Sequence, residues 1–276
     1  MNRKEIAHET VRIMEQGGYE YDGRRIDFYA QQKRSEEASV LISPERGREM
    51  ASRMSIPDAP RSDQGRERRS VANEATVKAI LDFVKAGKSR IGVLNFASAK
   101  NPGGGFLNGA MAQEESLAAS GGLYGSLLRN EEYYKANRAC PSMMYTDYAI
   151  YSPDVVFFRD ERFDLLDAPV TASVLTLPAV NYGQVLLKGE DPAIAELAMK
   201  NRMRLALAIF ASMGDVNLIL GAYGCGVFRN DPVKVAAWWK ELLDSEGYSA
   251  LFEEIRFAVL DAKDGKCINA FEREFA

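Results

Sequence analysis

The sequence predicts an α/β fold in which a sheet buried on both faces lies between two layers of helices. Three observations predict it. Short apolar runs at 91–96, 216–220 and 255–260 read as strands with no solvated face. Longer helical patterns alternate with them, and glycine-rich turns follow the first two runs. The chain has 276 residues, enough for one large core with an appendage, so residues 1–70 are expected to be an N-terminal helical extension packing on a core domain at 71–276.

Residues 3–16 place Ile6, Val11, Ile13 and Met14 among polar residues and stop at Gly17-Gly18, as an amphipathic helix does. Residues 40–42 form a short strand candidate. The polar stretch 61–69 has no apolar residue to bury and reads as a linker. A helix over 71–85 leads into the strand 91–96, a glycine loop, and helical stretches at 115–121 and 122–137. Strand candidates follow at 149–151, 155–159 and 170–177. A long helix at 192–213, a strand at 216–220, a second glycine loop, a helix at 232–244 and a strand at 255–260 complete the order.

Composition removes several classes of function. A net charge of −4 supports neither general nucleic-acid affinity nor attachment to a membrane surface. The longest apolar run, residues 205–213, is about half of the roughly 20 residues that span a bilayer. The start lacks the apolar region of a secretory signal. Cys140, Cys225 and Cys267 are odd in number and widely separated, which fits a reducing cytoplasm and offers no zinc spacing. His8 is the only histidine, so most histidine-based catalysis is excluded, no metal or other cofactor is expected, and carboxylates must carry any acid/base chemistry.

Gly103, Gly104 and Gly105 let the backbone approach a ligand without side chains in the way. The second loop, Gly221, Ala222, Tyr223, Gly224, Cys225, Gly226, Val227 and Phe228, runs from a strand to a helix start at Asp231-Pro232. Strand, glycine turn and helix N-terminus outline a site for a phosphate or diphosphate. The spacing is neither the dinucleotide fingerprint nor a P-loop, and a tight packing turn is the plain alternative.

Gln113, Glu114 and Glu115 follow the first loop. Neighbours on a helix point about 100° apart, so the two glutamates are expected to do different jobs, one as acid/base and one as an anchor for sugar hydroxyls. The alternative is a solvated first turn that complements the helix dipole.

Three glycines, a short spacer and Gln-Glu-Glu resemble the signature of the poly(ADP-ribose) glycohydrolases. The flanks 95–102, 142–148, 178–181 and 221–228 resemble its compact bacterial branch, and the likeness covers about residues 70–260. The resemblance implies a macrodomain-like three-layer α/β/α fold with a central mixed sheet. It implies that Glu115 is the acid/base on the ribose–ribose O-glycosidic bond of poly(ADP-ribose), working through an oxocarbenium-like ribose, and that Glu114 holds ribose hydroxyls. Gly103, Gly104, Gly105, Gln113 and the second loop would then contact substrate, with Phe228 against the terminal ribose. Asn101 is chosen over Asn95 and Ser98 to read the distal ribose. The implied partners are ADP-ribose, its polymer and poly(ADP-ribosyl)ated proteins. A monomer with no sequence-specific nucleic-acid contact is expected, and DNA damage is the natural setting. Two rivals stay open: a macrodomain that removes single ADP-ribose units, and a non-catalytic reader of ADP-ribose.

Overall fold

A computed structural model describes residues 2–56, 68–261 and 264–275. Helix α1 (Arg3–Gln16) is capped by Asn2, whose side chain accepts from Glu5 N while Glu5 reaches back, and it stops at Gly17 in the left-handed region. A hairpin follows, β1 (Gly18–Tyr21) and β2 (Arg24–Asp27), turned by Asp22 and Gly23 at φ 47° and 74°. Then come α2 (Tyr29–Ala38), β3 (Val40–Ile42) and α3 (Pro44–Ser52).

The extension expected to be helical is therefore mixed, and it reaches into the central sheet: β3 pairs antiparallel with β6 (Ala149–Arg159). The linker expected at 61–69 lies, for 61–67, outside the described residues. The helix expected from residue 71 begins later. Arg69–Ala72 is strand β4, drawn into a parallel ladder, and α4 (Thr76–Lys85) starts after it. A continuous ladder outweighs the local helical pattern at these residues.

The remaining elements are β5 (Ile91–Ala97), a 3-10 turn at Phe106–Asn108, α5 (Gln113–Ser120), α6 (Leu123–Arg129), α7 (Glu131–Ala139), β6 and β7 (Leu165–Pro178). After them come α8 (Tyr182–Leu187), α9 (Pro192–Met213), β8 (Asn217–Leu220), α10 (Pro232–Lys240), β9 (Glu254–Ala258) and α11 (Lys266–Phe275).

Among the described residues the main sheet has the order β3-β6-β7-β5-β8-β9-β4. β3, β6 and β7 are antiparallel, and the ladder from β7 through β5, β8 and β9 to β4 is parallel, so the sheet is mixed. Alternate residues of each strand serve opposite layers. Val93, Val174, Ile219 and Ala258 pack with α4 to α7, whereas Leu94, Leu175, Leu218, Leu220 and Phe257 pack with α9, α10 and α11. Burial on both faces explains why these strands read as unbroken apolar runs.

This topology sets the site. β5 and β8 are parallel neighbours, so the loops at their carboxyl ends, 98–112 and 221–231, emerge side by side.

Candidate active site

The glycine loop is shaped by backbone conformations that side chains disfavour. Gly103 and Gly104 have φ of 66° and 60°, and a Cβ on Gly104 would overlap Glu115 Oε1 and lie 3.2 Å from Glu114 Oε2. Both carboxyls therefore border one point above the loop. Gly105 then donates its N–H to Glu115 Oε1 at 3.0 Å.

Helix α5 begins at Gln113 and carries both glutamates in its first turn. Their environments differ sharply. Glu114 is 3% exposed and turned under the loop, where Ser98 N donates to Oε2 at 2.7 Å and Asn95 Nδ2 to Oε1 at 3.3 Å. Burial pushes its carboxyl up to about 8, with the Glu115 charge adding to the rise and the hydrogen bonds opposing it. Glu115 is half-buried and faces the loop. The different jobs inferred from adjacency thus have a structural counterpart: one carboxyl enclosed by the fold, one presented.

Gln113, expected among the substrate contacts, has its amide bound to the scaffold. It donates to Leu94 O at 2.8 Å and Thr76 Oγ1 at 3.3 Å and accepts from Phe96 N at 2.8 Å. Its work is to lock α5 onto β5. Asn101 is exposed at the start of the loop, its N–H bound to Ser98 Oγ at 3.1 Å, while the competing Asn95 is fully buried between Glu114 and Thr176.

The second loop leaves β8 beside the first. Gly221 packs so closely that a Cβ would meet Ala258 O, and its carbonyl accepts from Trp239 Nε1 at 3.2 Å. Ala222 O accepts from Cys225 N. Tyr223 is wholly buried, its hydroxyl on Leu177 O at 2.8 Å, so its side chain belongs to the core and only its backbone belongs to the loop. Gly224, at φ 72°, lies against Asn230, whose amide ties Gly224 O to Val180 O. Cys225 is half-buried, with its Sγ on Tyr223 O at 3.7 Å, and burial pushes the thiol up.

From there the loop opens. Gly226 has open space where a Cβ would stand, Val227 is 81% exposed, and Phe228 is half-buried 6.0 Å from the Tyr145 ring. No hydrogen bond among the described residues uses the N–H of Gly226, Val227 or Phe228. Three consecutive unpaired donors suit an anion.

Tyr145 lies in the 142–148 flank, to which the sequence assigns no role. Its segment, 142–148, is held by neighbouring polar groups: Arg202, 3% exposed, donates to Met144 O at 2.7 Å, Pro178 O at 3.0 Å and Asp147 at 3.0 Å. Asn137 accepts from Thr146, and Glu190 accepts from Ser142 and Met143 N. Arg202 sits among Lys200, Asn201 and Arg204 on α9, so no local pattern singles it out as the buried one. Among the described residues no group of three His, Cys, Asp or Glu side chains is placed to hold a metal ion, and no helix is long and apolar enough to cross a membrane.

Comparison with known proteins fits this geometry. Residues 7–160, more than half of the chain, match the family described as microbial-type PARG, catalytic domain. The chain is 36% identical to poly(ADP-ribose) glycohydrolase (PARG) from Thermomonospora curvata, with 99% of each chain covered and a TM-score of 0.91. The same enzyme bound to the inhibitor ADP-HPD matches at 36% identity, again over 99% of each chain, with a TM-score of 0.90. Poly(ADP-ribose) glycohydrolase from Deinococcus radiodurans in complex with ADP-ribose is 39% identical, covering 90% of this chain and 98% of its own, with a TM-score of 0.79. The comparison with curated proteins gave no match.

Proposed function

The chain belongs to the microbial-type poly(ADP-ribose) glycohydrolase family, and from that premise we propose how its residues divide the reaction. The protein is a glycosidase that hydrolyses the ribose–ribose O-glycosidic bonds of poly(ADP-ribose) and releases ADP-ribose. Its mixed sheet between helical layers is that of a macrodomain-like fold.

Glu115 is the general acid and base. Its carboxyl protonates the leaving ribose oxygen as the glycosidic bond breaks, leaving an oxocarbenium-like ribose. The resulting carboxylate then takes a proton from water, whose oxygen bonds to the anomeric carbon, and the acid is restored. The observation that carries this assignment is the half-buried Glu115 carboxyl poised over the glycine loop, 3.0 Å from Gly105 N, beside an enclosed Glu114.

Glu114 anchors ribose hydroxyls. Burial pushes its carboxyl up to about 8, which favours the protonated form there. The N–H groups of Gly226, Val227 and Phe228 and the Gly103, Gly104 and Gly105 backbone receive the diphosphate, whose charge supports the cationic ribose. Phe228 covers the terminal ribose, and Asn101 reads the distal one. Gln113 acts through the scaffold.

The enzyme works as a cytoplasmic monomer on poly(ADP-ribosyl)ated proteins in the response to DNA damage, without sequence-specific contact to nucleic acid. Three free cysteines support a reducing compartment. Incubation with auto-modified poly(ADP-ribose) polymerase tests the activity: polymer shortens and free ADP-ribose accumulates. Binding of polymer without release of ADP-ribose would leave only a reader.

A further inference from the structure

We propose that Thr10, on the N-terminal helix α1, is a positioning residue for Glu115; the inference rests on Glu115 being the acid/base. Thr10 is 1% exposed and donates its hydroxyl to Ala119 O at 2.8 Å. Ala119 is four residues after Glu115, so on α5 it lies one turn below it on the same face. Thr10 therefore grips the turn on which the acid stands.

The hydroxyl has little freedom to do anything else. Its oxygen accepts from Arg159 Nε at 3.0 Å, which leaves its proton to point at Ala119 O. Arg159, 2% exposed at the end of β6, is itself fixed by Phe163 O at 2.6 Å and by the Glu9 carboxylate. Glu9 and Thr10 are neighbours on α1, so one guanidinium, held by β6, clamps the N-terminal helix against the catalytic one.

Helix α1 also supports the other side of the acid. Ala7, Phe106, Ala118 and Ala119 form one buried cluster with Ile6 packed on it, and Phe106 directly follows the triple glycine. A Cβ on Gly109 would stand 3.4 Å from Lys4 N. Both partners that meet at the Gly105 N–H to Glu115 Oε1 bond, loop and helix, thus rest on α1. The second glycine loop sits on β8 and has no part in this clamp. Loosening Thr10 should misplace the acid more than it disturbs the diphosphate, whose Gly226, Val227 and Phe228 donors lie on the second loop.

The test compares Thr10→Val, which keeps the shape and removes the hydroxyl, with Thr10→Ser, which keeps the hydroxyl. The measurements are kcat and KM on poly(ADP-ribose) and Kd for ADP-ribose, each also in the Glu115→Gln background. A displacement of about 1 Å costs up to about a hundredfold in rate, so Thr10→Val is expected to lower kcat about tenfold or more. ADP-ribose Kd should stay within about twofold, Thr10→Ser should restore the rate, and adding Thr10→Val to Glu115→Gln should cost little more, because both act through one carboxyl. A kcat for Thr10→Val within twofold of wild type overturns the proposal. So does an equal loss in ADP-ribose binding, failure of the serine to rescue, or a full multiplicative loss in the Glu115→Gln background. If Thr10→Val does not fold, Glu9→Gln serves: a twofold or larger fall in kcat at unchanged Kd supports the clamp, and an unchanged kcat overturns it. Absence of turnover by wild type would instead refute the glycohydrolase activity, and a fully active Glu115→Gln the role of Glu115.

Discussion

Replacing Glu114 with glutamine removes a carboxyl that the fold holds in its protonated form. The side chain is 3% exposed, and its carboxyl is pushed up to about 8 from an ordinary value near 4.5, burial being the largest cause. A folded-state value above the unfolded one means the native protein binds the proton more tightly. The corresponding stability is fully present below about pH 4.5 and is lost as pH rises through about 8. Each pH unit within that window costs about 1.4 kcal/mol, so wild type should lose up to about 4 kcal/mol between pH 5 and 8 from this group alone. The glutamine loses none of it. Its amide oxygen accepts from Ser98 N, and Asn95 Oδ1, which lacks a partner among the described residues, accepts from its NH2 once the Asn95 amide turns over. Asp215, pushed up to about 7 by burial, gives a slope of the same sign in both proteins and cancels in the comparison. Thermal melts of wild type and Glu114→Gln from pH 5 to 8.5 should diverge, with the variant gaining several degrees relative to wild type toward pH 8, at roughly 2–4 °C per kcal/mol. Parallel melting curves across that range would refute the raised carboxyl.

Gly104→Ala places a Cβ in the left-handed region and against the Glu115 carboxyl, so kcat should fall by about a hundredfold in single-turnover assays while ADP-ribose still binds. Arg202→Met cuts the bonds that hold Met144, Pro178 and Asp147. ADP-ribose affinity by calorimetry should drop by about tenfold as the Tyr145–Phe228 wall loosens, charged hydrogen bonds of this kind being worth about 1.5–3 kcal/mol. Millimolar EDTA should leave the rate of ADP-ribose release unchanged, since Glu115 alone moves the protons; strong inhibition reversed by added metal would contradict that chemistry.

Much of this arrangement was legible along the chain, and the exceptions have physical causes. Helix α9 is legible at its observed bounds because Asp191 and Pro192 open it and Gly214 closes it. The glycine loop and both glutamates were legible because their chemistry is local. Helix α2 was not, since its buried face is Gln32, Ser35 and Glu36, satisfied by one another and by Gly122 and Pro153 carbonyls. Apolar periodicity carries no trace of such a face. The β1–β2 hairpin carries only a short local signal, Asp22-Gly23 between two polar strands of four residues each. Gln113 reads as part of a substrate motif, yet its partners are backbone atoms of β5 and the Thr76 hydroxyl, which only the fold brings near. Arg159 and Thr10 are 149 positions apart, and no local pattern connects them.

Glu115→Gln bears most directly on the glycohydrolase mechanism. Single-turnover release of ADP-ribose from poly(ADP-ribose) should fall by about 10²–10⁴ relative to wild type, the usual contribution of a general acid and base, with ADP-ribose Kd changed by no more than a few-fold. Release by Glu115→Gln within a few-fold of the wild-type rate would contradict Glu115 as the group that moves the proton.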